Sequence, residues 1–572
     1  MNPSLAPLTL GLIPLDTRPV CYQWIAQLGA LAKLLGIETC LPPRSVFPPS
    51  EALKHPACTD TLQAWLKEHA PSTWGLGGIV ALDTLMFGGL IPSRLEASCE
   101  KTLETQWKTQ WRPLLSECQG ALVGVASILR IPHYNGDEEE PTYWATWGEA
   151  LHDYSSQTHQ SLQKTYPEPI ACLEAWFHCL PSPEAVGLPA IPEAILHDFI
   201  SRHKRHWKLW QRWLKEVRSD TSEDKEKKLF TRLVFSQDDT GAWGLNVLEA
   251  QALQALIKTL GYTENQAYVQ TGADELLGTQ MAWIISQHLQ KNGLLKTPLS
   301  LSVVATHPET LTMTSRYDGI SCQEVMTRQA KACHLSLQWH TSESLLQTLS
   351  ESSQASVHHP PLCLLHTPSP ERQGDHCGDY FEHPVTGLPK PNTRHGVAML
   401  TKLLNELPTD TLSVWLADIA YSNGGDPALD CLLFPTASEQ PNTFKPSIQG
   451  YSAWNTASNS VGSLLAWMSL WLYVTRYATT LPPAMAHTLL TQRDACHTKM
   501  YHTRVLDDLA FQALIRPTLR PLYKATSSEA HTALTELLAL YAKKLHLKPP
   551  SAKLPCQRWF EIELSWEDSP SQ

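Results

Sequence analysis

Ten short apolar runs, each closing on polar or turn-forming residues, punctuate the chain up to residue 454. They are "LTLGLIPLD" (8–16), "ETCLP" (38–42), "GGIVALD" (77–83), "ALVGVASIL" (121–129), "RLVFSQD" (232–238), "AYVQTG" (267–272), "LSLSVVAT" (299–306), "LCLLHT" (362–367), "LSVWLAD" (412–418) and "SIQGYSAW" (447–454). Stretches of helical periodicity separate them, which is the rhythm of α/β proteins with parallel strands. Ten runs exceed the eight of a closed barrel. Two architectures fit: a (β/α)8-barrel-like domain with an additional α/β portion, or two doubly wound open sheets in series. The barrel is the preferred expectation, because Asp16, Asp83, Asp238, Asp274 and Asp418 each lie at or just beyond a run, as residues of a catalytic rim do.

The same pattern divides the chain into a barrel-like catalytic portion (1–300), a remaining α/β portion that completes the site (301–475) and a mainly helical C-terminal region (476–572). Residues 202–228, charged and Trp-rich, read as an exposed amphipathic helix followed by a solvated linker. The segment 343–396, Ser/His-rich and then Pro-rich, reads as long loops. "GSLLAWMSLWLYV" (462–474) is too short to span a bilayer and reads as a buried helix, while "FEIELSW" (560–566) alternates like a half-buried strand.

Composition narrows the function. The 572 residues are 42% hydrophobic and carry a formal net charge of -11, which argues against a nucleic-acid partner. The 14 cysteines form neither a CxxC pair nor a zinc-finger pattern, so a reduced, cytoplasmic setting is expected. The N-terminal stretch has no basic region ahead of its apolar run, and neither a secretory signal nor membrane association is expected. P-loop, G-x-S-x-G, H-E-x-x-H and G-x-G-x-x-G motifs are all missing, which removes the commonest nucleotide, serine-hydrolase and zinc-protease readings.

Candidate chemistry lies at the strand ends. In "PLDTRPV" (14–20), Arg18 can grip a ligand with Asp16 as counter-ion, or the two can form a structural ion pair. "LDTLMFGGLIPSR" (82–94) sets Asp83 before a Gly-Gly turn and ends in Arg94. The acids of "RIPHYNGDEEE" (130–140) read as a solvated loop. "SQDDTGAWG" (236–244) places Asp238 and Asp239 side by side with Trp243 close behind. Two carboxyls this close cannot both ionise freely, so one is a candidate general acid and the other can orient a substrate. A plain turn is the alternative. Asp274 in "TGADE" suits a helix N-cap, as does Asp426 before Pro427 in "SNGGDPALD", which also holds Asn423. Trp454 and Asn455, in "GYSAWNTASN", can supply an apolar wall and an amide for a sugar.

Taken in order, "PLDTRPV", "LDTLMFGGLIPSR", "TGADE", "NGGD" and "GYSAWNTASN" resemble a bacterial family known as domain of unknown function 4127, over most of residues 8–475. The resemblance implies no activity, cofactor or catalytic residue.

The residues themselves lead to the functional expectation: a cytoplasmic hydrolase of a polar small molecule or oligosaccharide, specifically a retaining glycoside hydrolase acting on N-acetylhexosaminides. In such substrate-assisted catalysis the sugar's acetamido group is the nucleophile. Asp239 is then the acid/base and Asp238 orients the acetamido group. Asp16, Arg18, Asp83, Arg94, Trp243, Asp274, Asp418, Asn423, Asp426, Trp454 and Asn455 line the substrate site, without metal or cofactor. The alternatives are a Mg/Mn-dependent hydrolase or phosphotransferase with the ion on Asp16, Asp83, Asp238 and Asp274, and a non-enzymatic ligand-binding protein.

Overall fold

The computed structural model describes residues 8–48, 54–69, 71–218, 228–352, 360–370, 373–374, 391–407, 412–433 and 448–566. Its principal strands are β1 Leu8–Ile13, β2 Ile37–Cys40, β3 Gly77–Ala81, β4 Ala121–Ser127, β5 Arg232–Gln237, β6 Ala267–Thr271, β7 Leu299–Ala305, β8 Leu335–His340, β9 Leu362–His366, β10 Val414–Asp418 and β11 Ile448–Ser452. They form two open parallel sheets, ordered β2-β1-β3-β4-β5-β6 and β11-β10-β9-β7-β8.

Neither sheet closes, so the barrel expectation is corrected in favour of two open sheets. The reason lies in the crossovers. A barrel grows when each new strand adds to the same side of the last, whereas β1 pairs with β2 on one edge and with β3 on the other. Strand β7 likewise pairs with both β8 and β9. Each reversal is a topological switch point, and in open α/β sheets ligands bind beyond the carboxyl ends of the strands at such points. The apolar runs look the same in either architecture, because the direction of a crossover leaves no mark on the strand it enters.

Both faces of each sheet are covered, in three apolar layers. Along β5, Leu233 and Phe235 enter the outer layer of the first sheet while Val234 enters the layer between the sheets, which is the two-residue period of a strand. Along β9, Cys363 and Leu365 join the middle layer and Leu362 and Leu364 the outer layer of the second sheet. Helices Gln23–Lys33, Leu276–Lys291 and Ala457–Ala478 fill the middle layer. In its centre the Trp467 ring packs edge-on against Trp24, 5.7 Å away, and against Trp415 of β10, 5.2 Å away. The run 462–474 is therefore an interior helix.

Other expectations meet mixed outcomes. The Trp-rich segment belongs to helix Glu193–Leu214, whose Trp207, Trp210 and Trp213 are buried in the outer layer; it is a core helix with one charged face. Residues 219–227 of the expected linker lie outside the described residues, as do 353–359, 371–372 and 375–390 of the expected loops. Ser342–Ser352 and Pro391–Glu406 are helical. The C-terminal region is mainly helical, and of "FEIELSW" only Glu563–Ser565 is a strand, paired antiparallel with Ser551–Lys553. Among the described residues, no helix is long and apolar enough to cross a membrane.

Candidate functional site

The loops that follow the strands of the two sheets meet. After β5, the Thr240 N–H donates to the Tyr317 carbonyl beyond β7 at 2.8 Å. At the end of β6, Thr271 receives the Ser458 hydroxyl at 2.9 Å and, on its carbonyl, the Gln329 amide at 3.1 Å.

Over the first sheet these loops gather charged side chains. Arg18 folds back on Asp16, its backbone N–H donating at 3.0 Å and its Nε at 2.9 Å, and then reaches Asp274 at 2.5 Å. Cys21 donates to the same Asp274 oxygen at 3.4 Å. Asp274 is thus turned towards Arg18 and is not the cap of helix Leu276–Lys291, whose N-cap is Glu275. Burial raises the Asp274 carboxyl despite Arg18, with Asp16 and Asp238 adding to the rise.

Arg94 and Arg130 share two acids. Arg94 reaches Glu139 at 2.9 Å and Glu140 at 3.4 Å; Arg130 reaches Glu139 at 2.9 Å, Glu140 at 2.8 Å and Asp239 at 3.1 Å. Arg558, from the C-terminal region, closes on Glu139 at 2.7 Å. Burial works to raise the Glu139 carboxyl, but Arg130, Arg558, Arg94 and Arg18 together hold it well below the usual carboxylate range. For Glu139 and Glu140 the reading as a solvated loop is corrected, because distant arginines fold onto them; Glu138 is exposed.

Asp238 and Asp239 stand at the end of β5. Asp239 adopts a left-handed backbone, φ +47°, a conformation Asp tolerates better than most residues. Burial and the neighbouring Asp238 raise its carboxyl, against the pull of Arg130 and Arg94. Asp83 lies in the first turn of helix Leu82–Phe87 and accepts the Ser127 N–H at 2.8 Å; burial pushes it up to about 6. Behind it Gly88, φ +82°, lies so close to the Ala57 backbone that a Cβ would clash at 2.6 Å, which accounts for the Gly-Gly turn.

Beside the pair opens a cleft of about 680 Å³, lined by Thr240, Gly241, Met313, Ser315, Arg316 and Tyr317 among others. Its volume is that of a small-molecule site. The His133 ring stacks on Tyr317 at 6.4 Å, Tyr134 is 42% exposed and Trp243 39% exposed. Trp243 packs edge-on against His159. Asp318, buried next to the cleft, accepts the Ser315 hydroxyl at 2.7 Å and is raised to about 6 by burial, with Asp238 contributing.

The remaining expected residues lie elsewhere. Asp418 and Asp426 join a second polar cluster beyond β9 and β10. There Asp426 meets His366 at 2.9 Å, and Asp418 accepts the Asp426 N–H at 2.7 Å and the Tyr451 hydroxyl at 3.1 Å. Asp426 also caps the short helix begun by Pro427. Asn423 sits half-buried in the loop between them. Trp454 is buried edge-on against Phe560, 6.0 Å away, and Asn455 holds a left-handed turn, φ +58°, before the cap Thr456.

Arg130, Glu139, Glu140, Arg558 and Glu561 complete the first cluster without having been read as site residues. Arg130 and Glu140 flank a segment already singled out for its acids, and the basic residue at the end of β4 was the available signal. Glu561 had none. In sum, seven carboxylates (Asp16, Asp238, Asp239, Asp274, Glu139, Glu140, Glu561) face four guanidiniums (Arg18, Arg94, Arg130, Arg558). Burial first, with neighbouring carboxylates adding to it, raises Asp239, Asp274 and Glu561.

Fold and site together define an α/β protein of two open parallel sheets with a buried charged cluster at the strand ends of the first and a cleft beside it. The chain belongs to the family described as protein of unknown function (DUF4127), whose family model matches residues 10–565. No protein with a curated description matches it.

Proposed function

We propose that the protein is a hydrolase of a polar small molecule, with Asp238 and Asp239 as its working pair, and that its substrate is an N-acetylhexosaminide cleaved with retention of configuration. One observation carries this reading: adjacent carboxyls at a strand end, one raised by burial and by its neighbour, beside a cleft of about 680 Å³. Asp239 is the acid that protonates the leaving oxygen. Arg130, 3.1 Å away, orients it and stabilises it once the proton has left. Asp238 steadies the acetamido group as it attacks.

Two further features support a neutral, hydroxyl-rich substrate. The carboxyls that outnumber the guanidiniums offer hydrogen-bond partners to hydroxyls whether ionised or protonated, and the exposed rings of Tyr134 and Trp243 suit the apolar face of a sugar. The metal-dependent alternative is weaker, because Arg18 stands between Asp16 and Asp274 and already neutralises two of its four ligands. Among the described residues no three His, Cys, Asp or Glu side chains are grouped to hold a metal ion. In this reading the enzyme works in the cytoplasm, in keeping with eleven free cysteines among the described residues, and has no nucleic-acid partner. A panel of 4-nitrophenyl glycosides that includes N-acetylhexosaminides tests the proposal: turnover of the N-acetyl substrates supports it, and inertness towards the whole panel contradicts it.

A further inference from the structure

Glu561 is 1% exposed, and neither of its side-chain oxygens has a hydrogen-bond partner among the described residues. A buried polar group normally finds a partner, and leaving one unmade is costly. Its position is nevertheless well fixed. Arg558 is bound to Glu139, the Gln512 amide donates to the Phe560 carbonyl at 2.8 Å, and the Gln23 amide donates to the Leu564 carbonyl at 2.7 Å. Arg44 holds Glu563 at 2.8 Å, and Phe560 packs on Trp454. The C-terminal segment is therefore clamped across the first cluster from both sides, and it sets Glu561 among Arg18, Arg558, Asp16 and Asp274.

We propose that Glu561 is a ligand-contacting residue of this site, delivered by the C-terminal segment, and that its carboxyl group hydrogen-bonds hydroxyls of a neutral sugar. The proposal rests on the reading of the site as one for a hydroxyl-rich substrate. A carboxylic acid offers one O–H donor and an acceptor oxygen, which matches a sugar hydroxyl in both directions. An ionised carboxylate would instead be expected to close on a guanidinium, as Glu139 does. Glu561 does not, although Arg18 and Arg558 are its neighbours. Burial, outweighing both arginines, raises its carboxyl to about 8, and Asp16 and Asp274 add to the rise. The groups facing it from each neighbouring element are Arg18, Asp16 and Cys21 beyond β1, Asp274 beyond β6, and Arg558 on its own segment.

The test uses the full chain, with N-acetyl-D-glucosamine as the probe, followed by calorimetric titration. Glu561→Ala should weaken binding at least about tenfold, the loss expected when a buried hydrogen-bonding group is removed from a site. Glu561→Gln, which keeps a donor and an acceptor, should bind within a few-fold of wild type. The melting temperature of the ligand-free protein gives a readout independent of binding. The folded state holds a proton on Glu561 that the unfolded chain releases near pH 4.5, so wild type loses stability relative to Glu561→Gln as pH rises from about 5 to 8, and no further above that. Unaltered binding by Glu561→Ala overturns the contact, and a Glu561→Gln variant that melts lower than wild type at pH 8 shows an ionised structural partner instead. Failure of wild type to bind the probe overturns the sugar. If the probe binds and Glu561→Ala weakens it while no glycoside is hydrolysed, the hydrolase reading fails and the assignment of Glu561 stands.

Discussion

Arg18 and Asp274 are 256 residues apart in the chain and 2.5 Å apart in space. They follow β1 and β6, between which β3, β4 and β5 intervene, a separation of roughly 19 Å at the usual strand spacing. Their loops must therefore lean towards one another over the carboxyl edge of the sheet. This contact makes one charged cluster out of several separate strand ends.

It also makes Arg18 a structural necessity. With Arg18→Met, Asp16 and Asp274 remain buried without their cation, and breaking a buried pair in this way typically costs about 3–5 kcal/mol. Urea denaturation should show a loss of that size. A loss below about 1 kcal/mol would mean that the cluster relaxes to let water in.

Arg130 is expected to set the pH range of activity. The acid form of Asp239 is the working one, so turnover falls as pH rises through its pKa. Arg130 lowers that pKa, and Arg130→Met removes the opposing charge. The alkaline limb of the kcat/KM profile should move to higher pH in the variant; a limb that moves down or stays in place argues against Asp239 as the acid.

The second cluster gives a stability prediction of definite sign. Burial opposes the charged form of His366, but the Asp426 hydrogen bond and Asp418 outweigh it and raise the imidazole. A raised imidazole contributes stability fully below its unfolded pKa of about 6.5 and loses it as pH rises through the folded value. The stability gap between wild type and His366→Gln should therefore shrink from pH 6 to pH 9. A gap that widens with pH would place His366 in the neutral form throughout.

All ten apolar runs of the sequence proved to be strands, because most are buried along nearly their whole length and are bounded by turn residues; β2, at a sheet edge with Glu38 exposed, is the exception. Strand β8, "LSLQWH", was overlooked: it lies at a sheet edge, and its exposed Ser336 and Gln338 break the apolar run. Closure of the sheet was illegible, since it depends on which edge each crossover returns to. Among the site residues, Asp16, Arg18, Asp83, Asp238, Asp239 and Asp274 were legible as strand ends in one sheet. Arg558 and Glu561 were not, because a segment 300 or so residues beyond β6 reaches the cluster only through tertiary packing. Trp454 shows the opposite error: a strand-end aromatic that packs inward on Phe560 has the same local sequence as one that faces a ligand.

The decisive measurement compares hydrolysis of two N-acetyl-β-D-glucosaminides, one with a 2,4-dinitrophenyl leaving group that needs no proton and one with a methyl group that does. For Asp239→Asn, turnover of the methyl glycoside should fall by about 10² to 10⁴, the usual worth of general acid catalysis, while the dinitrophenyl glycoside is much less affected. For Asp238→Asn both substrates should suffer alike, since the acetamido nucleophile is then unsupported whatever the leaving group. If both variants turn over both substrates as wild type does, Asp238 and Asp239 form only a turn at the end of β5, and the catalytic reading is contradicted.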